Sequence, residues 1–211
     1  MSQATSHRTF EPGTAGWTVD DLYDPDILWQ WSEGRYEIVE GVLTMMAPQG
    51  FEGVDPLTNL QKIVERHFEA TGHPGTFYRE VDLLLRRNRI PRPDSIFLTR
   101  AQRQEQLRLQ RQRPLPPGRR YHPVYVMPPL AIESVSVGHE KHDRVVKRKW
   151  YAEAGIQQYW ILTAHERSLV CLVLKGKEYV VESSGEGDDA VASSIFGGVT
   201  IPLAQVWDDV Q

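Results

Sequence analysis

Three side chains of the kind that hydrolyse phosphodiesters occur in order along this chain: Asp94 after Pro93, Glu133 inside an apolar run, and then Lys147. Pro93-Asp94 falls where the chain returns into a strand, and Glu133 sits in Leu130-Ala131-Ile132-Glu133-Ser134-Val135. Period-two alternation puts Asp94, Ile96 and Leu98 on one face of their strand, and Ala131, Glu133 and Val135 on one face of theirs. An ionised carboxylate in the middle of an apolar strand is costly unless a cation or hydrogen-bond donors compensate it. A divalent cation shared with Asp94 would do so. Mg²⁺ takes oxygen ligands and keeps several waters, so Asp94, Glu133 and the backbone carbonyl of Ser134 make a sufficient donor set, with Mn²⁺ as a substitute. Such an ion polarises a phosphoryl oxygen and acidifies a bound water.

Lys147 lies on a helix predicted over about 139–154. Val146, Trp150 and Ala154 form its core stripe, and Asp143, Lys147 and Tyr151 form the adjacent row. A lysine at the edge of a buried stripe can run its stem along the sheet and set its ammonium beside the acids as a point charge. Each residue alone has a plainer reading: Pro-Asp as a common turn, Glu133 as the partner of an arginine inside the sheet, and Lys147 as the i,i+4 partner of Asp143. Their combination favours chemistry.

The elements that must position these residues follow from turn and period signals. Residues 1–16 are small, polar and broken by Gly and Pro, and are expected to be a disordered leader. Residues 17–211 read as one domain. A short helix is expected at Trp17–Leu22, then a β-hairpin around Glu40-Gly41 within Arg35–Met46. Leu57, Leu60, Ile63, Val64 and Phe68 mark a helix over 57–70. Strands are expected at Phe77–Leu85 and Asp94–Leu98, joined through Arg87-Asn88-Arg89. Residues 99–122 form an Arg-rich, partly helical insertion. After the strand of Glu133, a loop at Ser136–Gly138 leads into the 139–154 helix. Strands follow at Tyr159–Leu162, Leu169–Leu174, Glu178–Glu182 and Val199–Leu203. A strand, helix and strand in succession favour a parallel pair. The fold class is α/β (α+β): a central mixed sheet flanked by helices, with an N-terminal hairpin.

Composition sets the setting. The chain has 211 residues, 40 % of them hydrophobic, and six Trp, which supports an ordered core. The net charge of −4 argues against a bulk polycation coating DNA. Cys171 is the only cysteine, so no intrachain disulfide forms and a reducing, cytoplasmic location is expected. No apolar run reaches the ~20 residues a membrane span needs.

Four segments carry a resemblance: RYEIVEGVLTMM (35–46), RPDSIF (92–97), LAIESVS (130–136) and DRVVKRKWYAEAGIQQYWIL (143–162). From about Trp17 to Trp207 the chain resembles the Uma-type "putative restriction endonuclease" family within the PD-(D/E)XK nuclease superfamily. The resemblance implies a restriction-endonuclease-like sheet, divalent-metal dependence and hydrolysis of DNA. It places the family's motif aspartate on Asp94 and its strand glutamate on Glu133. A strict E-x-K pattern would need lysine at Val135. The resemblance instead points to Lys147, on the following helix, and matches Glu37 to a further acidic position that assists the metal. The chain departs from the family where Asp55–Leu60 lacks a histidine, where Val137 replaces a proline, and where Thr163 replaces an aspartate.

Rival motifs are weak. His139-Glu140-Lys141-His142 has its histidines at i and i+3, not the i and i+4 of a zinc protease. No phosphate-cradling glycine loop and no G-x-S-x-G context is present. Arg100, Arg103, Arg108 and Arg111, with Arg148 and Lys149, form the expected DNA-contact surface; Arg113, Arg119 and Arg120 belong to the same insertion. Two readings follow: a Mg²⁺-dependent DNA endonuclease, as a two-fold homodimer if both strands are cut, or a non-catalytic relative that binds nucleic acid or a protein partner.

Overall fold

In chain order the elements are α1 (Pro25–Ser32), β1 (Tyr36–Val39), β2 (Val42–Met45), α2 (Phe51–Ala70), β3 (Gly75–Arg79), β4 (Ser95–Thr99), α3 (Arg100–Gln112) and β5 (Leu130–Ser134). A π-helical turn (His142–Lys147) then runs into α4 (Arg148–Ala154). β6 (Gln158–Thr163), β7 (Ser168–Lys175), β8 (Glu178–Glu186), β9 (Ala190–Ser193), β10 (Val199–Pro202) and α5 (Leu203–Val206) complete the chain. The computed structural model describes residues 9–46, 51–115, 121–135 and 142–208. The expectations for Ser136–Gly138, His139–Lys141, Arg119 and Arg120 lie outside them, as does the side chain of Asp143.

The central sheet has six strands in the order β3-β4-β5-β6-β7-β8. It is mixed, as expected: β5 and β6 pair in parallel, and the other neighbours are antiparallel. β5 and β6 are buried at every position, so helices must cover both faces. On one face Leu57, Leu60, Val64 and Phe68 of α2 pack against Phe97, Leu130, Ile132 and Trp160, with β9, β10 and α5 closing the layer. Each of those α2 side chains contributes about 1.5–3 kcal/mol on burial. Together they outweigh the ~3 kcal/mol cost of Pro56 inside the helix. On the other face Ile96, Leu98, Ala131, Val135, Tyr159 and Ile161 meet Tyr151 and Ile156. Asp94 and Glu133 belong to this second face.

A third core lies under the hairpin, where Trp17, Leu22, Trp31, Ile38, Leu43 and Ile90 are buried together. β1 and β2 are joined at Glu40-Gly41, whose φ values of 49° and 81° give the left-handed pair that a two-residue hairpin turn requires. Of the expected leader, residues 1–8 lie outside the described residues. Residues 9–16 run along β2: Gly13 N–H donates to the Leu43 carbonyl at 2.7 Å, and Phe10 packs edge-on to Trp17 and Tyr36.

Three differences from the sequence reading have local causes. The expected strand 77–85 stops at Arg79, because Glu80 turns to φ 49° and the chain leaves the sheet to bridge Leu83 to Val124 and Ile90 to Ile38. α1 was not anticipated, although Asp24 caps it by accepting from the Asp26 N–H at 2.9 Å and Pro25 opens it. The helix expected from 139 begins as a π turn, so Lys147 and Tyr151 are buried with Trp150, whereas Val146 is only half-buried and Val145 is exposed. Lys147 and Tyr151, expected beside the core stripe, are therefore part of the core.

Candidate active site

Strand register explains how two acids far apart in sequence meet. Ser95 is opposite Ile132 and Ile96 opposite Ala131, so one step back along the same antiparallel ladder Asp94 comes level with Glu133. The Asp94 N–H points at Glu133 Oε2 at 3.4 Å, and Asp94 Oδ2 accepts from the Ser134 N–H at 2.7 Å. Both carboxylates are buried. One backbone donor thus engages each acid, Ser134 N–H on Asp94 and Asp94 N–H on Glu133.

Lys147 arrives from the helical face. Its Nζ lies 3.1 Å from Glu133 Oε1 and 2.9 Å from Glu37 Oε1. The Tyr151 hydroxyl, one α-helical turn on, donates to Glu133 Oε1 at 2.8 Å. Burial first, and the negative charge of Glu133 second, push the Tyr151 phenol well above its ordinary value, so it stays a donor. Glu37 Oε1 also accepts the Arg92 N–H at 2.9 Å. Buried ionised groups persist only when paired and hydrogen-bonded, and each of these is. The π turn has a consequence here, since such turns recur at functional sites: it brings the lysine into the core face.

A further residue went unassigned in the sequence. Arg35 Nη2 lies 2.5 Å from Asp94 Oδ1, and its Nε lies 3.7 Å from Glu80 Oε1. Burial opposes its charge, but the charge and hydrogen bond of Asp94 outweigh that and push the guanidinium above its ordinary value. A signal was available: Arg35 and Glu37 are two residues apart on an extended segment and share a face. Asp82 was missed as well. It accepts from Trp31 Nε1 (2.9 Å), Arg92 Nε (2.8 Å) and the Tyr121 hydroxyl (2.7 Å). This buried knot ties α1 and the 121–126 segment to the chain that delivers Asp94.

The donors suit a hard cation. Asp94, Glu133 and the carbonyl of Ser134 offer oxygen alone, the chemistry of Mg²⁺ or Mn²⁺ and not of structural zinc. Among the described residues no group of three or more His, Cys, Asp or Glu side chains forms a ready-made metal cage. The Glu37 Oε1 oxygen is engaged by Lys147 and Arg92.

The expected DNA-contact residues are spread out. Arg100, Arg103, Arg108 and Arg111 lie on α3, which starts at the end of β4 remote from Asp94. Arg108 forks onto Glu105 at 2.5 and 2.6 Å. Arg103 lines a cavity of about 480 Å³ with Glu80 and Asp82. Arg148 donates to the Tyr179 carbonyl at 2.5 Å, whereas Lys149 is exposed. Among the described residues no helix is long and apolar enough to cross a membrane.

The fold is restriction-endonuclease-like, with buried acids and a lysine gathered at one end of its central strands. A solved structure from Anabaena variabilis, titled "a putative nuclease belonging to DUF820", shares it with a TM-score of 0.59 at 13% identity, over 83% of this chain and 90% of that one. The chain belongs to the Uma2 family, described as "Putative restriction endonuclease", which it matches over residues 22–204. No protein of curated function matches it.

Proposed function

We propose that this protein is a metal-dependent endonuclease that hydrolyses DNA phosphodiester bonds. The observation that carries the reading is the Lys147 ammonium held between Glu37 and Glu133, with Asp94 level with Glu133 in the strand register. Bound at Asp94, Glu133 and the Ser134 carbonyl, Mg²⁺ or Mn²⁺ would supply a Lewis acid and an acidified water. The chain's own groups do the positioning. The Ser134 N–H and the Tyr151 hydroxyl set the rotamers of the two acids. Lys147 presents a fixed positive charge where negative charge accumulates on phosphorus, and Glu37 keeps that ammonium in place. The exposed cations Arg103 and Lys149 are the groups we assign to backbone phosphates. A two-fold pair of sites would cut both strands.

Plasmid nicking with Mg²⁺ or Mn²⁺, on wild type and on Glu133→Gln, tests this. Cleavage is expected to fall by about a hundredfold or more in the variant, the scale of losing one group that stabilises the transition state. Equal residual cleavage in both would leave a nuclease fold that binds nucleic acid or a protein partner without cutting.

A further inference from the structure

Among the described residues, Lys147 and Arg35 both face the acids, and they are held differently. The Lys147 side chain is 3% exposed and lies between two carboxylates, with no room to leave. The Arg35 side chain is 21% exposed and reaches Asp94 from the rim. Its root is fixed, because the Arg35 carbonyl accepts the Met46 N–H at 2.7 Å and continues the hairpin ladder. Its head has a second anchor in Glu80, 3.7 Å from Nε and 42% exposed. A cation taking Asp94 Oδ1 must compete with the guanidinium for that oxygen, and two positive charges at such a distance repel. A guanidinium fork fits a phosphate as well as it fits a carboxylate.

Building on the proposed function, we infer that Arg35 is a two-position arm. It occupies Asp94 in the free protein, and it transfers to a backbone phosphate of bound DNA when the metal ion claims Asp94, with Glu80 keeping it at the rim. Arg35 is thereby a positioning residue that couples metal binding to DNA binding.

The two roles predict effects of opposite sign. Mn²⁺ titrated calorimetrically into the DNA-free protein should bind about tenfold more tightly to Arg35→Ala than to wild type, the equivalent of one charge-assisted hydrogen bond released. Duplex DNA, followed by fluorescence anisotropy in Ca²⁺, should bind Arg35→Ala more weakly, with a salt slope lower by about one. Glu80→Gln should weaken Mn²⁺ binding in the wild-type background and have no effect once Arg35 is absent. Unchanged or weaker Mn²⁺ binding in Arg35→Ala overturns the arm, as does unchanged DNA affinity. Arg35→Gln repeats the measurements if the alanine variant does not fold. Asp94→Ala separates this inference from the function beneath it. If Asp94→Ala binds Mn²⁺ as wild type does, the metal site itself is misplaced; if it loses Mn²⁺ while Arg35→Ala gains nothing, only the arm fails.

Discussion

At the scale of single residues, the site is a set of ionised groups that the core tolerates because each is paired. Lys147 is the most exposed to this logic, since its ammonium serves Glu37 and Glu133 at once. Lys147→Ala leaves both carboxylates buried without it, and removing one partner of a buried pair costs about 3–5 kcal/mol. The variant is expected to melt earlier and to cleave DNA more slowly while retaining Mn²⁺, because the lysine contributes charge and not a ligand. Calorimetry decides the role: a loss of Mn²⁺ affinity as large as that of Asp94→Ala would contradict it. The acids and the lysine were legible in the sequence because a carboxylate amid Leu130–Val135 breaks a strong local pattern. For Arg35 the face shared with Glu37 was a signal, but its pairing with Asp94 is fixed by how the hairpin docks, and no spacing in the chain encodes that distance.

At the scale of elements, legibility tracked the strength of local signals. The Glu40-Gly41 turn, the α2 stripe and the apolar strands around Glu133 and Trp160 were all readable, since each imposes its own period or its own backbone angle. Thr99-x-x-Gln102 carried a capping-box signal that the sequence reading did not use: Gln102 N–H donates to Thr99 Oγ1 at 3.3 Å, and Gln102 Oε1 accepts from the Thr99 N–H at 3.1 Å. It makes the start of the expected insertion an ordinary capped helix. Asp24-Pro25 carried an equally good start signal for α1. The π turn had none, because the 3.6-residue period that marks a helix is lost where the helix widens. α4 holds Lys147 in register from its other end, where Gly155 adopts φ 79° and its N–H closes onto the Ala152 carbonyl at 3.1 Å. A Cβ there would meet nothing within 4 Å, so only backbone strain opposes substitution. Gly155→Ala is expected to cost about 1 kcal/mol, seen as a lower urea midpoint. A change of several kcal/mol would mean that the cap also sets the position of β6.

At the scale of the whole molecule, the site sits where three separately packed regions meet. The hairpin brings Arg35 and Glu37, the sheet brings Asp94 and Glu133, and the helical layer brings Lys147. Stability of the sheet therefore conditions the site, and the sheet carries its own pH signature. Cys171 is fully buried on β7, where burial first and the charge of Glu182 second push its thiol far above its ordinary value. Tyr179 on β8 is pushed above 10.0 by burial, its hydroxyl donating to the Ile156 carbonyl at 2.6 Å. Both groups bind their proton more tightly in the folded state. Their contribution is complete below the unfolded value and is lost as pH rises above it, because the unfolded chain then holds fewer protons. Each such group removes about 1.4 kcal/mol of stability per pH unit once its unfolded form is ionised. Stability against urea should thus be insensitive to these two groups up to about pH 8.5, fall through about pH 9–10 as the unfolded thiol ionises, and fall more steeply above about pH 10 as tyrosine joins. Cys171→Ala isolates the first limb: its stability should stay nearly level between pH 9 and 10 while wild type declines. Parallel curves for the two proteins across that window would mean that the thiol ionises in the folded state as freely as in the unfolded one, and that β7 is open to solvent.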